Sequence, residues 1–429
     1  MKKIMIKAVF KLASPLCVSN GSEENTDKDV IKDFDGNAFI PGTSIAGALK
    51  QYLTEDEYKV VFGYAEKLKS GETISVKSAV MVYDAKITKQ TNPPKIGLRD
   101  GIALDDFKMT IDKKKFDYEI IETGAQATFR FQITQKAEKA DQLLQHIARL
   151  ILAIECGDIR FGSKKNRGLG RMELARFCDG KPKVYKSEFT NDTIRNYLVF
   201  DWDDMTEKWD LASDDAPKYI KRTISLKLSG GISVRTYSAK PDGPDYTHIK
   251  CNEKPIIPGS TWNGAIRHRA KEILLELGVC AKKAEELLDN IFGAKAGDSN
   301  AAASKIVFSE SIIEGGTDVP MTRNRINRFD GSTMDGALYS EISHFGGTCN
   351  LEIMIKDEES AKWAWGLMVL VIRDIQHGFL SIGGQTAVGR GLFADSEKNK
   401  IDDEADYIMA LNEQLKALGL EEIEIETAV

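Results

Sequence analysis

The chain carries one motif twice. Phe39-Ile40-Pro41-Gly42-Thr43-Ser44-Ile45-Ala46-Gly47-Ala48-Leu49-Lys50 is answered by Ile256-Ile257-Pro258-Gly259-Ser260-Thr261-Trp262-Asn263-Gly264-Ala265-Ile266-Arg267. Near the end of each half comes a second echo: Phe161-Gly162 leading to Arg167-Gly168-Leu169-Gly170-Arg171, and Ile382-Gly383-Gly384 leading to Gly389-Arg390-Gly391-Leu392. Pro41 and Pro258 stand 217 positions apart, and Gly168 and Gly389 stand 221 apart. Chance resemblance has no reason to keep a common offset, so the chain is a duplicated domain. Its 429 residues suit two domains and a connection better than one core.

The halves align element by element. An alternating strand opens each, with Leu12, Leu16 and Val18 on the face later held by Leu228, Ile232 and Val234. A polar loop, the Pro-Gly turn and a helix beginning at the hydroxyl residues follow, the helix running to Phe62-Gly63 or Phe292-Gly293. Strands are expected at 79–84 and 305–310. Next come paired apolar segments around a polar tip, Arg99 through Ile120 and Arg323 through Ile342, which read as protruding hairpins. A further strand precedes each second helix, at Asp141 to Cys156 with Leu143, Leu144, Ile147, Leu150, Ile151 and Ile154 on one stripe, and at Ala361 to His377 with Trp363, Leu367, Val371 and Ile372. This order is α+β, two tandem ferredoxin-like (RRM-like) domains each with an inserted hairpin. The expected limits are 1–180 and 223–395, with a charged connector at 181–222 and an acidic tail at 396–429 that holds one amphipathic helix.

Composition narrows the chemistry. No apolar stretch approaches the ~20 residues that cross a bilayer, and Met1 to Ala8 lacks a signal-peptide block, so a cytoplasmic location is expected. The six Cys form no Cys-x-x-Cys pair and the five His do not cluster with them, which disfavours a zinc site or a disulfide framework. A formal charge of −6 argues against non-specific coating of nucleic acid. Any polyanion site must therefore be local, and three basic clusters offer one: Arg160 to Arg171 with Lys164, Lys165 and Arg167; Arg267, His268, Arg269 and Lys271; and Arg323, Arg325 and Arg328.

A helix that starts at Pro-Gly-hydroxyl turns unsatisfied backbone N–H groups outward, a site suited to phosphate, with Lys50 or Arg267 two turns on as countercharge. The alternative is a capped helix start and nothing more. The Gly-rich loops permit close approach of a sugar-phosphate backbone, and Arg171 and Arg390 offer guanidinium forks. They also read as strand-connecting turns. A turn needs Gly, however; it does not need the basic residues that accompany both copies.

Together these residues resemble the RAMP superfamily of CRISPR-associated proteins, and specifically the backbone subunits of type III interference complexes. The resemblance rests on the doubled Pro-Gly signature, the terminal Gly-rich loops, the ferredoxin-like order and the two hairpins. It implies a scaffold that holds a CRISPR guide RNA, with each hairpin acting as a thumb against the guide-target duplex. Expected partners are the guide RNA, complementary target RNA, other RAMP backbone subunits, a large polymerase-like subunit and a small helical subunit. Gly42, Thr43, Ser44, Lys50, Lys164, Lys165, Arg167, Gly168, Gly170, Arg171, Gly259, Ser260, Thr261, Arg267, Arg323, Arg325, Gly389, Arg390 and Gly391 are then the expected RNA contacts. Two departures make the copies unequal: Lys50 replaces the family's Arg, and the second Gly loop has no Arg at the place of Arg167.

The family's RNA-cleaving members carry an acidic residue in the loop before the Pro-Gly signature. The matching positions here are Asp27 and Asp245, with Asp29 and Asp242 as near neighbours in the two loops. By this resemblance each domain is expected to cut target RNA once, as a metal-dependent endoribonuclease using a divalent ion, Mg2+ or Mn2+, whose ligands the sequence does not specify. The same loops, crowded with Asp29, Asp33 and Asp35, also read as solvated turns. A guide-holding subunit without activity and a CRISPR RNA processing endoribonuclease stand as the other readings. His248, in the second loop, reads as a surface or contact residue.

Overall fold

The computed structural model describes residues 2–19, 21, 26–67, 73–88, 94–104, 110–175, 180–188, 197–212, 217–237, 243–294, 302–396 and 401–420. The chain divides into two compact units. The first comprises Met1–Gly101, Lys115–Lys165 and Leu169–Pro217; the second comprises Ile102–Lys114, Asn166–Gly168 and Lys218–Val429.

In the first unit β1 (Lys2–Leu12) buries Ile4, Ile6, Ala8, Phe10 and Leu12 and turns Lys3, Lys7 and Lys11 outward, as a period of two requires. It is central. The strands β2 (Val80–Val82), β3 (Ala85–Thr88), β4 (Ile96–Leu104), β5 (Thr110–Ile121), β6 (Gln126–Gln135), β7 (Met172–Leu174) and β8 (Lys183–Glu188) follow in chain order, the end of β4 and the start of β5 being counted with the second unit. One side of β1 pairs antiparallel with β6, which in turn takes β2 and β3; the other pairs with β7 and β8. Helix α1 (Gly42–Tyr52) contributes Ile45 and Leu49 to the core, and α3 (Ala137–Cys156) contributes the stripe from Leu143 to Ile154. Gly157, at φ +85°, ends α3 where the sequence places its stop. The β4–β5 pair stands apart as a two-stranded sheet.

The second unit repeats the plan. Its strands are β9 (Tyr219–Ser229), β10 (Tyr246–His248), β11 (Ile306–Phe308), β12 (Ser311–Glu314), β13 (Thr317–Arg323), β14 (Tyr339–Phe345), β15 (Thr348–Lys356) and β16 (Leu392–Asp395). Central β9 lies between β16 and β15, and β15 carries β11 and β12, all antiparallel. Helix α4 (Gly259–Glu276) inserts Trp262, whose Nε1 donates to the Ser311 hydroxyl at 3.0 Å, so a buried polar edge is satisfied inside the core. The hairpin β13–β14 joins a sheet in which β10 lies parallel to β14.

Four expectations change. The hydroxyl residues are not N-caps: Pro41 and Pro258 hold those positions, and no side chain caps either helix. Nor does one helix run to Phe62 or Phe292. A capping box between Thr54 and Glu57 starts α2 (Glu55–Phe62), and Gly278 at φ +86° precedes α5 (Ala281–Phe292). The span 181–222 is more than a connector, because β8 extends the first sheet and Phe200 and Trp202 pack near Tyr185 and Tyr83. Finally, α7 (Glu404–Ala417) is no tail. It covers the outer side of α6 (Ala361–Gln376) so closely that a Cβ on Gly366 would lie 2.3 Å from the Tyr407 carbonyl oxygen, which explains why α6 is buried on nearly every side.

Candidate nucleic-acid interface

The Gly-rich loops are one backbone structure built twice. Each contains a short 3-10 turn, Lys165–Arg167 and Thr386–Val388, preceded by a residue in the left-handed region, Lys164 at φ +57° and Gln385 at φ +59°. Phe161 N–H donates to the Gly170 carbonyl at 3.0 Å, and Ile382 N–H to the Gly391 carbonyl at 2.8 Å. The amides of Gly170 and Gly391 donate at 2.8 Å to Pro15 and Gly231, at matching places after the first strand of each half. A Cβ on Gly170 or Gly391 would lie 1.9 Å from the carbonyl oxygen of Phe161 or Ile382. These glycines are architectural. Gly389, with open space where its Cβ would stand, leaves the loop surface accessible.

The candidate carboxylates occupy matching places too. Asp27 is exposed, and its Oδ2 accepts from the Asp117 amide on β5 at 2.9 Å, while Asp117 Oδ1 accepts from the Asp27 amide at 3.1 Å. Asp245 is exposed, and its Oδ2 accepts from the Ser340 amide on β14 at 2.7 Å, while the Asp245 amide donates to the Ser340 carbonyl at 3.0 Å. In both halves, then, an exposed carboxylate is fixed by the returning strand of the hairpin. Asp29 differs: it is buried and accepts from the Thr26 amide and hydroxyl, each at 2.9 Å, so it shapes the loop. Asp242 lies outside the described residues.

A model of the RAMP superfamily matches residues 9–173 and 245–394, two stretches that take in both copies of the carboxylate-hairpin-loop arrangement and that together cover most of the chain. The chain belongs to the RAMP superfamily. It is a tandem, double-domain member, and membership places it among CRISPR-associated RNA-binding subunits of multi-subunit complexes. Among curated proteins nothing matches it. No helix among the described residues is long and apolar enough to cross a membrane.

Within these RAMP domains the structure sorts the basic residues. Arg267 is neutralised by Glu285 at 2.7 Å and Asp289 at 2.9 Å, both on α5; Arg269 by Asp374, Glu272 and Glu276; and Lys271 lies 3.7 Å from Glu285. That cluster braces helices and is no open basic patch. Lys50 is exposed above the Tyr58 ring at 4.1 Å and lines a shallow groove of about 320 Å³ with Thr43, Ala46 and Gly47. Lys164 lies 3.8 and 3.7 Å from the ring centroids of Phe116 and Tyr118 on β5, and burial pushes the Lys165 ammonium down. Arg167 is exposed; Arg171 pairs with Glu173 at 3.1 Å. Arg390 lies over the Phe345 ring at 4.6 Å, and it matches Leu169 in the loop register, so Arg171 and Arg390 are not counterparts. Arg323 contacts buried Glu341, and Arg325 is exposed.

The helix starts lose part of their expected role. The Gly42 amide donates to Asp84 Oδ1 at 2.7 Å, so a carboxylate already occupies that N-terminus and repels a phosphate there. Gly42 and Gly259 are required because a Cβ would lie 2.6 Å from the Val82 oxygen and 2.3 Å from the Phe308 oxygen, at matching strands. Thr43, Ser44 and Ser260 remain exposed and Thr261 half-buried, with hydroxyls rather than helix amides to offer.

Residues missed by sequence reasoning cluster on the hairpins. Phe329 is fully exposed beside exposed Arg325 and Arg328, on a loop in which Asp330 accepts from the Ser332 amide at 2.9 Å and hydroxyl at 2.7 Å. An aromatic next to arginines is a stacking signal that Arg325 to Phe329 displays in sequence. His248 proves buried, not a surface residue; Val234 N–H donates to its Nδ1 at 3.1 Å. Burial, then the nearby His344, push it down to about 4. It is therefore neutral at pH 7 and fixes strand pairing. Since the folded value lies below that of the unfolded chain, its contribution to stability is complete above pH ~6.5 and falls as pH drops toward about 4. His248→Gln should flatten this part of the acid limb, as measured by denaturant unfolding of the second unit across pH 7 to 4; an unchanged limb refutes the assignment.

Proposed function

We propose that the chain is a double-domain backbone subunit of a type III CRISPR effector, in which each ferredoxin-like domain holds guide RNA and cleaves the complementary target once. The strand order supports the fold reading, since β7-β1-β6-β2 and β16-β9-β15-β11 follow the 4-1-3-2 arrangement with helices after the first and third strands. We read β4–β5 and β13–β14 as the thumbs. The observation that carries the function is the pair of exposed carboxylates, Asp27 and Asp245, each bracketed to a hairpin's returning strand.

RNA brings its own nucleophile, the 2′-hydroxyl. In this reading a thumb splays one target nucleotide so that its O2′ stands in line with the adjacent phosphorus. The carboxylate takes the hydroxyl proton as the O2′–P bond forms; the P–O5′ bond breaks, and the O5′ leaving group is protonated from water. Thr43, Ser44, Ser260 and the Gly loops with Lys164, Arg167 and Arg390 hold phosphates without reading sequence, which base pairing supplies.

Asp27 and Asp117 present two neighbouring carboxylates, a donor type that suits Mg2+ or Mn2+; Asp245 presents one carboxylate beside the Ser340 hydroxyl. Among the described residues no group of three or more His, Cys, Asp or Glu is placed to hold a metal, so RNA phosphates and water would complete the ligand set. Such an ion supplies charge neutralisation at the phosphate.

The test is to express the chain with its neighbouring complex genes and a guide array, purify the complex, and add labelled complementary RNA. Two regularly spaced cuts assignable to this subunit are expected. Processing of guide precursor by the isolated chain, with target left intact, refutes the reading.

A further inference from the structure

At the root of the second hairpin one buried carboxylate organises two guanidinium groups. Glu341 is 1 % exposed. Its oxygens accept from Gln385 Nε2 at 2.8 and 2.7 Å and from Arg235 Nη2 at 3.2 Å, and Arg323 Nη2 is ion-paired with it at 3.2 Å. Gln385, in the left-handed backbone region, thereby ties the Gly loop to β14. Each guanidinium spends only one nitrogen on Glu341, and their side chains remain 37 % and 28 % exposed. Glu341 alone offsets only one of the two guanidinium charges and leaves the other surplus to it.

That surplus lies beside Asp245. Arg235 stands 4.9 Å above the ring of Tyr246, the next residue, and Tyr246 pairs with Glu341 as Asp245 does with Ser340. As a stabilising device the arrangement is inefficient, because buried ion pairs are often matched by apolar packing. As a pre-organised pair of forks it suits a phosphodiester. The first domain is built differently: Glu119, on the corresponding strand, accepts the Val30 amide at 2.9 Å.

We infer that Arg235 and Arg323, held by Glu341, form an anchor for an RNA phosphate next to Asp245. The inference rests on the reading that this loop faces RNA. The experiment is fluorescence titration of a labelled single-stranded RNA with the full chain over a range of salt. Arg235→Ala and Arg323→Ala should each weaken binding several-fold and lower the slope of log K against log salt by about 0.7, and the double variant by about twice that. Slopes equal to wild type in folded variants overturn it. If the alanine variants do not fold, Arg235→Gln and Arg323→Gln retain a donor toward Glu341 and give the same reading. Asp245→Asn separates the two claims. It is read by cleavage of the target and not by the salt slope, so loss of the functional reading would not by itself remove the anchor, and an unchanged slope in the arginine variants would remove the anchor while cleavage stood.

Discussion

Asp27→Asn should abolish one cut in the target RNA and Asp245→Asn the other, each lowering the rate at its own position by ~10²–10⁴ while the remaining cut proceeds. The asparagine retains an oxygen that can accept from the Asp117 or Ser340 amide, so the bracket survives and only the proton acceptor is lost. Alanine removes both. A larger effect of Ala than of Asn on guide binding would therefore measure positioning, whereas equal loss of cleavage with intact binding measures chemistry. Mapping the 5′ and 3′ fragments by sequencing gels reads each site separately; fragments identical to wild type in both asparagine variants sink the cleavage assignment.

Gly170→Ala and Gly391→Ala should each destabilise their own domain by about 3 kcal/mol or more, because a Cβ must be accommodated against a carbonyl oxygen and the left-handed backbone penalises it besides. The contacts are 1.9 Å in both loops, with φ +79° and +73°. Gly389→Ala is the control: at φ +78° it has nothing within 4 Å, so only backbone strain of about 1 kcal/mol is expected. Hydrogen exchange resolved by domain distinguishes them. Equal, small losses at Gly391 and Gly389 would mean that the loop relaxes around the added methyl, and that its tight form is not required for the fold.

Much of this architecture is legible in the sequence. The alternation of Ile4, Ile6, Ala8, Phe10 and Leu12, the stripe of α3 and the stops at Gly63, Gly157 and Gly293 are local patterns that solvent exclusion and backbone sterics impose on a few consecutive residues. Helix starts were less legible, since Thr43 and Ser260 look like caps but Pro41 and Pro258 hold that position. The all-round burial of α6 was hidden for another reason: its outer cover, α7, begins 43 residues after the start of α6.

The sequence by itself determined the duplication, the order of elements and the matching loop positions of Asp27 and Asp245, because these are properties of spacing along the chain. Which charges remain available was decided only in three dimensions. Arg267 and Arg323 look alike in a list of basic residues, yet the first meets Glu285 and Asp289 on a packed helix, whereas the second shares Glu341 with Arg235 and keeps a surplus cation at the surface. A charge is neutralised by whatever lies within a few ångströms, and folding brings those partners from as far along the chain as Glu341 is from Arg235.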